Sequence, residues 1–260
     1  MLKLFSDARE LKISEEQFEE QLFDGTISEI ESIRIKKFVK FIDRKRSYIG
    51  RLLLRHSCVS LLGLRNDQIN FKRTKNDKPI LLGSSLGCNI SHDGNLIALF
   101  ARKCENISVG VDLACVKLPH FSNSVDEFIE EMSTAFSNKE KEQIRSAKNE
   151  SKRLDRFYRV WSLKESYLKA IGTGLQDSLH KISFEINWIS LESNSLKEQR
   201  NSIKMYHRNK LNHVWCFESQ RIENNYIVSV CYQKEFINPK VDKSSFQKIS
   251  IDSLINSLNN

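Results

Sequence analysis

Two acidic residues stand where a carboxylate could take part in chemistry. Asp112 is the single acid in the apolar segment SVGVDLACV, and burying a carboxylate there is costly unless it is paired or bound to a metal. Glu165 lies in FYRVWSLKESYLKAIGTGL, four residues before Lys169, so the two share one side of a predicted helix. Together the two carboxylates offer hard oxygen ligands, which suit Mg²⁺ that is also held by substrate phosphates.

Both features also have an ordinary structural interpretation. Glu165 and Lys169 at i,i+4 could form a surface ion pair worth about 0.3–0.5 kcal/mol. Asp112 could be an edge-strand residue that faces solvent, because aspartates are mostly exposed. The residues alone leave these alternatives open.

Two further segments carry groups that could hold phosphate. Ser91 and His92, in CNISHDGNLIALF, end a predicted strand just before a tight turn, where a hydroxyl and an imidazole can bind phosphate oxygens. The segment RTKNDKPI at 73–80 places three cations in six positions, and Arg51 lies upstream. Turn residues and a solvated charged face are the ordinary alternatives. No nucleophile elbow surrounds Ser91, which argues against a Ser/His hydrolase.

Composition limits the class of protein. The 260 residues are 40% hydrophobic and 28% charged, which is typical of a globular chain. The longest apolar stretch, at 96–101, is far shorter than the roughly 20 residues of a membrane span. Asp7 and Glu10 interrupt any signal peptide, and six scattered cysteines fit neither a zinc site nor a disulfide framework, so we expect a cytoplasmic (cytosolic) protein. The net charge of +8 indicates an anionic partner: nucleic acid, a phosphate-rich small molecule or an acidic protein surface.

The order of predicted elements indicates an α+β fold. Residues 28–62 have helical spacing and are followed by short strands; residues 125–147 and 154–171 are again helical and again followed by strands, with Gly172 ending the last helix. Asp93-Gly94 predicts a hairpin turn. Helices followed by antiparallel strands, twice over, suggest two similar halves. The predicted strands are 68–73, 87–91, 95–102, 107–113, 181–187, 202–206, 214–219 and 226–232.

Taken together, the motifs resemble those of the phosphopantetheinyl transferases. The order is a basic helix, RTxxxKP, NISH, GVD and WSLKESYLKA, and the resemblance runs from about residue 38 to residue 232. It is to the larger, two-half branch of the family (the surfactin-synthetase type), in particular its animal members. This resemblance implies a pseudo-dimer of two similar α+β halves, each with a small antiparallel sheet and packed helices, and an active site in the cleft between them. We expect an N-terminal half at 1–115, a C-terminal half at 116–237, and a tail at 238–260 that is either a short helix or mobile.

The resemblance also implies a reaction and a set of site residues. Members of the family transfer the 4′-phosphopantetheine arm of coenzyme A to a serine of apo acyl or peptidyl carrier proteins, leaving 3′,5′-ADP. Asp112 and Glu165 correspond to the ligands of Mg²⁺ (with Mn²⁺ as an alternative), and they join Lys169 as catalytic residues, with Glu165 as a direct or water-relayed base. The implied partners are coenzyme A and an acidic carrier, with no nucleic acid or membrane, and the implied state is a monomer. The residues that correspond to coenzyme A contacts are Arg51, Arg73, Thr74, Lys75, Asn76, Asp77, Lys78, Asn89, Ile90, Ser91, His92, Glu165 and Lys169.

Two positions depart from the family pattern. Ala114 stands where bacterial-type members have a second acid, so we expect water to complete the metal's coordination, as in the animal type. Asp77 replaces the glycine of Gly-Lys-Pro; aspartate tolerates a left-handed backbone, but it adds a negative charge near the phosphates. Lys164 could assist the carboxylate or the transition state, and the sequence does not decide its role.

Three rival interpretations come from other classes. A nucleic-acid-binding module is suggested by the pI near 9.1 and by KRSYIGRLLLRH at 45–56, but the charges are dispersed and no nucleic-acid-binding motif is present. A metal-dependent phosphohydrolase using Asp112 and Glu165 would need no carrier. A pseudoenzyme that only binds coenzyme A is disfavoured because Asp112, Glu165 and Lys169 are all intact.

Overall fold

The computed structural model describes residues 1–73, 79–81, 84–103, 108–172, 179–191, 202–233 and 245–259, which divide into two compact units. Unit 1 comprises residues 1–107 and 244–260, and unit 2 comprises residues 108–243. Helices and small, mainly antiparallel sheets occur in both, so the predicted α+β class is confirmed. No helix within these ranges has the length and apolar character to cross a bilayer.

Unit 1 is a long helix packed against a four-stranded sheet. The helix is α3 (Phe41–Leu62), and Ile49, Leu52 and Leu53 of its apolar stripe are fully buried. The sheet consists of β1 (Leu2–Asp7), β4 (Leu86–Asp93), β5 (Leu96–Lys103) and β12 (Gln247–Lys248), in the order β12-β1-β5-β4. The other elements of unit 1 are α1 (Glu15–Leu22), α2 (Glu29–Lys36), β2 (Phe71–Arg73), β3 (Pro79–Leu81) and α8 (Ile251–Asn259), with 3₁₀ turns at Ala8–Glu10 and Asn66–Gln68.

The helical region predicted at 28–62 is two helices rather than one. The chain leaves α2 after Lys36, and Phe38 and Val39 are exposed, so no burial holds these residues in a helix. Lys40 then takes up extended backbone at the start of α3. The hairpin predicted at Asp93-Gly94 is confirmed, because β4 and β5 pair in register across that turn. The sequence reading missed β1, which pairs antiparallel with β5 and parallel with β12.

The C-terminal segment is part of unit 1. Strand β12 pairs with β1, and helix α8 buries Ile251, Leu254 and Leu258 in the same core as α3. Of the two alternatives for the tail, the short helix is the one found for residues 251–259.

Unit 2 is built on a second long helix, α6 (Glu150–Ile171). This helix packs on a sheet of β6 (Val109–Cys115), β10 (Trp215–Ile222) and β11 (Tyr226–Gln233), in the order β10-β11-β6. As predicted, α6 ends at Gly172, whose positive φ of 74° is easy for glycine. The other elements of unit 2 are α4 (Val125–Glu131), α5 (Asn138–Arg145), β7 (Ile182–Ile186), α7 (Trp188–Leu191), β8 (Ile203–His207) and β9 (Lys210–Asn212), with 3₁₀ turns at Ser133–Ala135 and Leu179–Lys181.

The division between the units differs from the expected boundary after residue 115. Strand β6 pairs along its whole length with β11, so residues 108–115 belong to unit 2. The helical region predicted at 125–147 is also divided, because Ser137 caps α5 reciprocally with Glu140. Because of the shifted boundary, Asp112, Glu165 and Lys169 all lie in unit 2. The expected twofold relation between the halves stays a prediction.

Candidate active site

Gly110 sets the distance between strand β6 and helix α6. A Cβ added there would lie 1.9 Å from the main-chain oxygen of Ser166 and 2.7 Å from the main-chain nitrogen of Ala170. Only glycine therefore permits this contact between strand and helix. Because alternate residues of a strand point to the same side, Asp112 also faces α6.

The side chain of Asp112 is buried and paired across the strand–helix interface. Its Oδ1 lies 2.6 Å from Lys169 Nζ, and Ser162 Oγ donates to its main-chain oxygen at 3.3 Å. Although β6 is an edge strand, only 6% of Asp112 is exposed, so the solvent-facing alternative is wrong. Lys169 thus bridges from α6 to the acid of GVD, which a simple surface pair within the helix would not do.

Glu165 is the less stabilised of the two acids. Its Oε1 is buried and has no hydrogen-bond partner among the described residues. Burial raises the pKa of Glu165, the neighbouring Asp112 charge raises it further, and Lys169 partly offsets both. Lys169 offsets only part of the cost of this half-buried carboxylate beside a second acid, and a bound cation would offset more of it.

This arrangement fits a hard divalent cation. Mg²⁺ is commonly bound by one or two carboxylates, with waters and phosphates as the remaining ligands. Asp112 and Glu165 supply two carboxylates, and Oε1 of Glu165 has no hydrogen-bond partner among the described residues. Within the described ranges, no group of three or more His, Cys, Asp or Glu side chains is arranged to hold a metal. The residues that would hold such an ion here are Asp112 and Glu165.

Lys164, whose role the sequence left open, is a buried structural residue. Its Nζ lies 2.8 Å from Glu140 Oε2, and neither side chain has exposed surface. The ammonium group also donates to the main-chain oxygens of Ala135, Leu179 and Ile182, at 2.8, 3.0 and 2.7 Å. All its protons are committed to these contacts, so Lys164 holds three segments of unit 2 around α6 at the residue that precedes Glu165.

Glu140, the acidic partner of Lys164, was not predicted from the sequence as a functional residue. Its two oxygens accept from the main-chain nitrogens of Phe184 and Ser137, at 2.9 and 2.8 Å, in addition to Lys164. The signal was available: Ser137 followed three residues later by Glu140 is a capping box. That motif predicts a helix start, but it does not predict a lysine from another helix.

The residues matched to coenzyme A contacts in unit 1 have varied surroundings. Arg51 Nε lies 4.0 Å from Glu31 Oε1. On β4, Asn89 and Ser91 are buried, whereas His92, on the other face, is exposed. Ile90 is partly buried against the unit 1 core, and Arg73 ends β2. Residues 74–78, with Thr74, Lys75, Asn76, Asp77 and Lys78, lie outside the described residues. Coenzyme A binding by this set stays a prediction.

We expect Gly110→Ala to destabilise unit 2 and to displace Asp112. The new methyl group would overlap main-chain atoms of α6, which cannot rotate away as a side chain can. Overpacking of this kind costs about 1–3 kcal/mol and sometimes more. Urea unfolding should show the loss, while Gly50→Ala, whose Cβ would lie 3.7 Å from the nearest atom, should cost much less at that position of α3. Equal losses would show that the contact at Gly110 relaxes easily.

Comparison with known proteins divides the chain at nearly the same place as the structure does. A family model described as the 4′-phosphopantetheinyl transferase superfamily matches residues 108–231, and a model described as 4′-phosphopantetheinyl transferase, N-terminal, matches residues 13–104. The first match lies within unit 2 and the second within unit 1. The chain belongs to the 4′-phosphopantetheinyl transferase superfamily.

Relatives of animal origin are similar over most of the chain. An L-aminoadipate-semialdehyde dehydrogenase-phosphopantetheinyl transferase of Xenopus laevis is 33% identical over 238 residues, covering 86% of this chain and 76% of the relative. The Rattus norvegicus protein of the same name is 34% identical over 210 residues, covering 78% of this chain and 66% of the rat protein. A 4′-phosphopantetheinyl transferase gsp of Aneurinibacillus migulanus is 24% identical over 243 residues, covering 92% and 90%.

Proposed function

We propose that this protein transfers the 4′-phosphopantetheine arm of coenzyme A to a serine of an apo carrier protein, releasing 3′,5′-ADP. The observation that carries the proposal is the ion pair between buried Asp112 and partly exposed Lys169, beside Glu165, whose Oε1 has no hydrogen-bond partner among the described residues. It lies in the segment that matches the superfamily. Two acids and one ammonium group suit a reaction in which charge moves between phosphate oxygens.

Asp112 and Glu165 would hold Mg²⁺, or Mn²⁺ in its place. When bound, the ion would neutralise charge on the diphosphate of coenzyme A. Lys169 carries a fixed positive charge to the same place, and its bond to Asp112 orients it. Glu165 would accept the proton of the attacking serine hydroxyl, directly or through water, because an unassisted hydroxyl is a weak nucleophile at neutral pH.

The remaining coenzyme A contacts are proposed from the resemblance of the motifs. We assign phosphate and adenine contacts to Arg51, to residues 73–78 and to residues 89–92. Of the described members, Asn89 and Ser91 offer an amide and a hydroxyl on one face of β4. We place the reaction in the cytosol, with the protein acting as a monomer. The free thiol of Cys58 is compatible with a reducing compartment.

We expect the Michaelis constant for the carrier to rise with ionic strength. The chain has a net charge of +8, and an acidic carrier surface would be steered to it by opposite charge. Salt weakens such steering because the Debye length falls from about 10 Å at 0.1 M to about 3 Å at 1 M. Steady-state kinetics at several NaCl concentrations, with KCl and sodium acetate as ion controls, would measure it. An unchanged constant would remove the steering argument.

The decisive test is transfer itself. The protein is incubated with an apo acyl carrier protein, coenzyme A and Mg²⁺, and the carrier is weighed by mass spectrometry. We expect a mass increase of one phosphopantetheine, lost on chelation of the metal and regained with Mg²⁺ or Mn²⁺. Release of free phosphopantetheine without a carrier would instead favour a phosphohydrolase. Steeply salt-dependent DNA binding with no coenzyme A binding would favour a nucleic-acid-binding module.

A further inference from the structure

Three residues of α6 form one stripe that faces strand β6. Ser162, Glu165 and Lys169 lie at i, i+3 and i+7, so they share one side of the helix. The two outer members both contact Asp112: Ser162 Oγ donates to its main-chain oxygen at 3.3 Å, and Lys169 Nζ lies 2.6 Å from its Oδ1. The helix therefore holds Asp112 by its main chain and by its side chain, on either side of the residue that carries the second acid.

The hydroxyl of Ser162 makes an unusual bond for a buried serine of a helix. Ser57 on α3 and Ser166 on α6 are also fully buried, and each donates to the main-chain oxygen three residues earlier in its own helix, at 2.7 and 2.8 Å. This is the ordinary bond of a serine within a helix. Ser162 is buried to the same extent, yet its proton goes to the neighbouring strand. A hydroxyl has one proton, so the bond to Asp112 uses all its donor capacity.

The position of Asp112 along α6 matters because the two acids come from different elements. Asp112 lies on the edge strand β6, whereas Glu165 lies on the helix. Gly110 lets the strand approach the helix, but a close approach sets the separation and not the alignment. A hydrogen bond from a short side chain is directional, so it does set the alignment. Mg²⁺ demands near-ideal octahedral geometry at about 2.0–2.1 Å, so even a small shift between the two carboxylates would weaken its binding.

We infer that Ser162 is a positioning residue, which holds Asp112 in place relative to Glu165 and thereby raises the affinity of the two acids for a divalent cation. The inference rests on the proposed function, in which these acids hold Mg²⁺. Ser162 acts through Asp112 rather than on the ion, because its one proton is bound to the main-chain oxygen of that residue. Loss of a group that orients a metal ligand typically lowers metal affinity about 10–100-fold.

The test measures Mn²⁺ binding to the full chain by electron paramagnetic resonance, with and without coenzyme A. For Ser162→Ala, which removes the donor, we expect a dissociation constant about tenfold higher than that of the wild type, at the lower end of the range for a lost orienting group. The Mg²⁺ concentration for half-maximal transfer should rise by the same factor, with little change in kcat at saturating metal. Ser162→Cys fills the same space but donates only weakly, so it should shift the constant in the same direction.

Ser166→Ala is the matched control, because Ser166 is an equally buried serine one turn later on α6 whose hydroxyl donates within the helix. It should leave Mn²⁺ binding unchanged. Wild-type Mn²⁺ affinity in Ser162→Ala or in Ser162→Cys, or an equal loss in Ser166→Ala, would overturn the inference and leave the proposed function standing. A wild-type chain that binds Mn²⁺ but transfers nothing would contradict only the proposed function. A wild-type chain that binds no Mn²⁺, even with coenzyme A, would overturn both.

Discussion

Glu165→Gln is expected to lower kcat by about 10²–10³-fold while making the folded protein more stable. The amide keeps the size of the side chain but can neither accept the serine proton nor carry the charge that ligates a cation; a positioned general base contributes about 10²–10⁴-fold. Stability should rise because the carboxylate is disfavoured in the native state, where burial and the charge of Asp112 raise its pKa. Gain of stability with loss of activity is typical of a catalytic residue.

Two measurements check this prediction. Steady-state kinetics separates kcat from the Michaelis constant for coenzyme A, and chemical denaturation gives the free energy of unfolding. Glu185→Gln is the matched control, since Glu185 is an exposed glutamate of the same unit that pairs with Lys204 at 3.0 Å and should matter little to either quantity. An equal loss of kcat and of coenzyme A affinity would instead give Glu165 a purely ligating role. A variant that is both less stable and less active would contradict the interpretation that the Glu165 carboxylate destabilises the native state.

The site residues were proposed from the sequence, and the structure adds the surroundings of each. Asp112, Glu165 and Lys169 were selected from residue type and spacing, and the structure brings the charge of Asp112 to both of the others. The strand that carries Asp112 was predicted, whereas its pairing with β11 of unit 2, which differs from the expected division after residue 115, is a long-range property. A period-2 pattern indicates that a strand exists and leaves its partner undetermined.

Long-range contacts account for the other differences. Strand β1 was missed although Leu2, Leu4 and Ser6 alternate with residues of the other face, because six residues at a chain end are weak evidence without their partners β5 and β12. The helix breaks near residues 38 and 132–137 depend on which residues are buried in a hydrophobic core, and burial is set by the tertiary fold. Gly110 was recognised from the sequence only as part of GVD, whereas its physical role is close packing against Ser166 and Ala170 of α6, which lie more than 50 residues later.

Lys164→Met is the prediction that separates a structural lysine from a catalytic one. The substitution removes an ammonium group and leaves Glu140 as a buried charge without its cation, together with the three main-chain oxygens that Lys164 satisfied. Breaking one side of a buried ion pair costs about 3–5 kcal/mol, which is a large part of the 5–15 kcal/mol that stabilises a typical domain. Urea denaturation should therefore show a severe loss for the single variant.

The matched comparison is Lys164→Met combined with Glu140→Gln. Because the second change removes the unpaired charge, the double variant should be more stable than Lys164→Met alone, and the coupling should be favourable to the native pair. Its remaining folded fraction should keep a near wild-type Michaelis constant for coenzyme A, since Lys164 Nζ is enclosed by Glu140 and main-chain oxygens. Loss of kcat with unchanged stability would instead place Lys164 in the reaction. Adjacent residues of the WSLKESYLKA motif therefore have different roles. Lys164, fully buried and paired with Glu140, stabilises the packing around α6. Glu165, next to it, carries the carboxylate that burial and the charge of Asp112 disfavour.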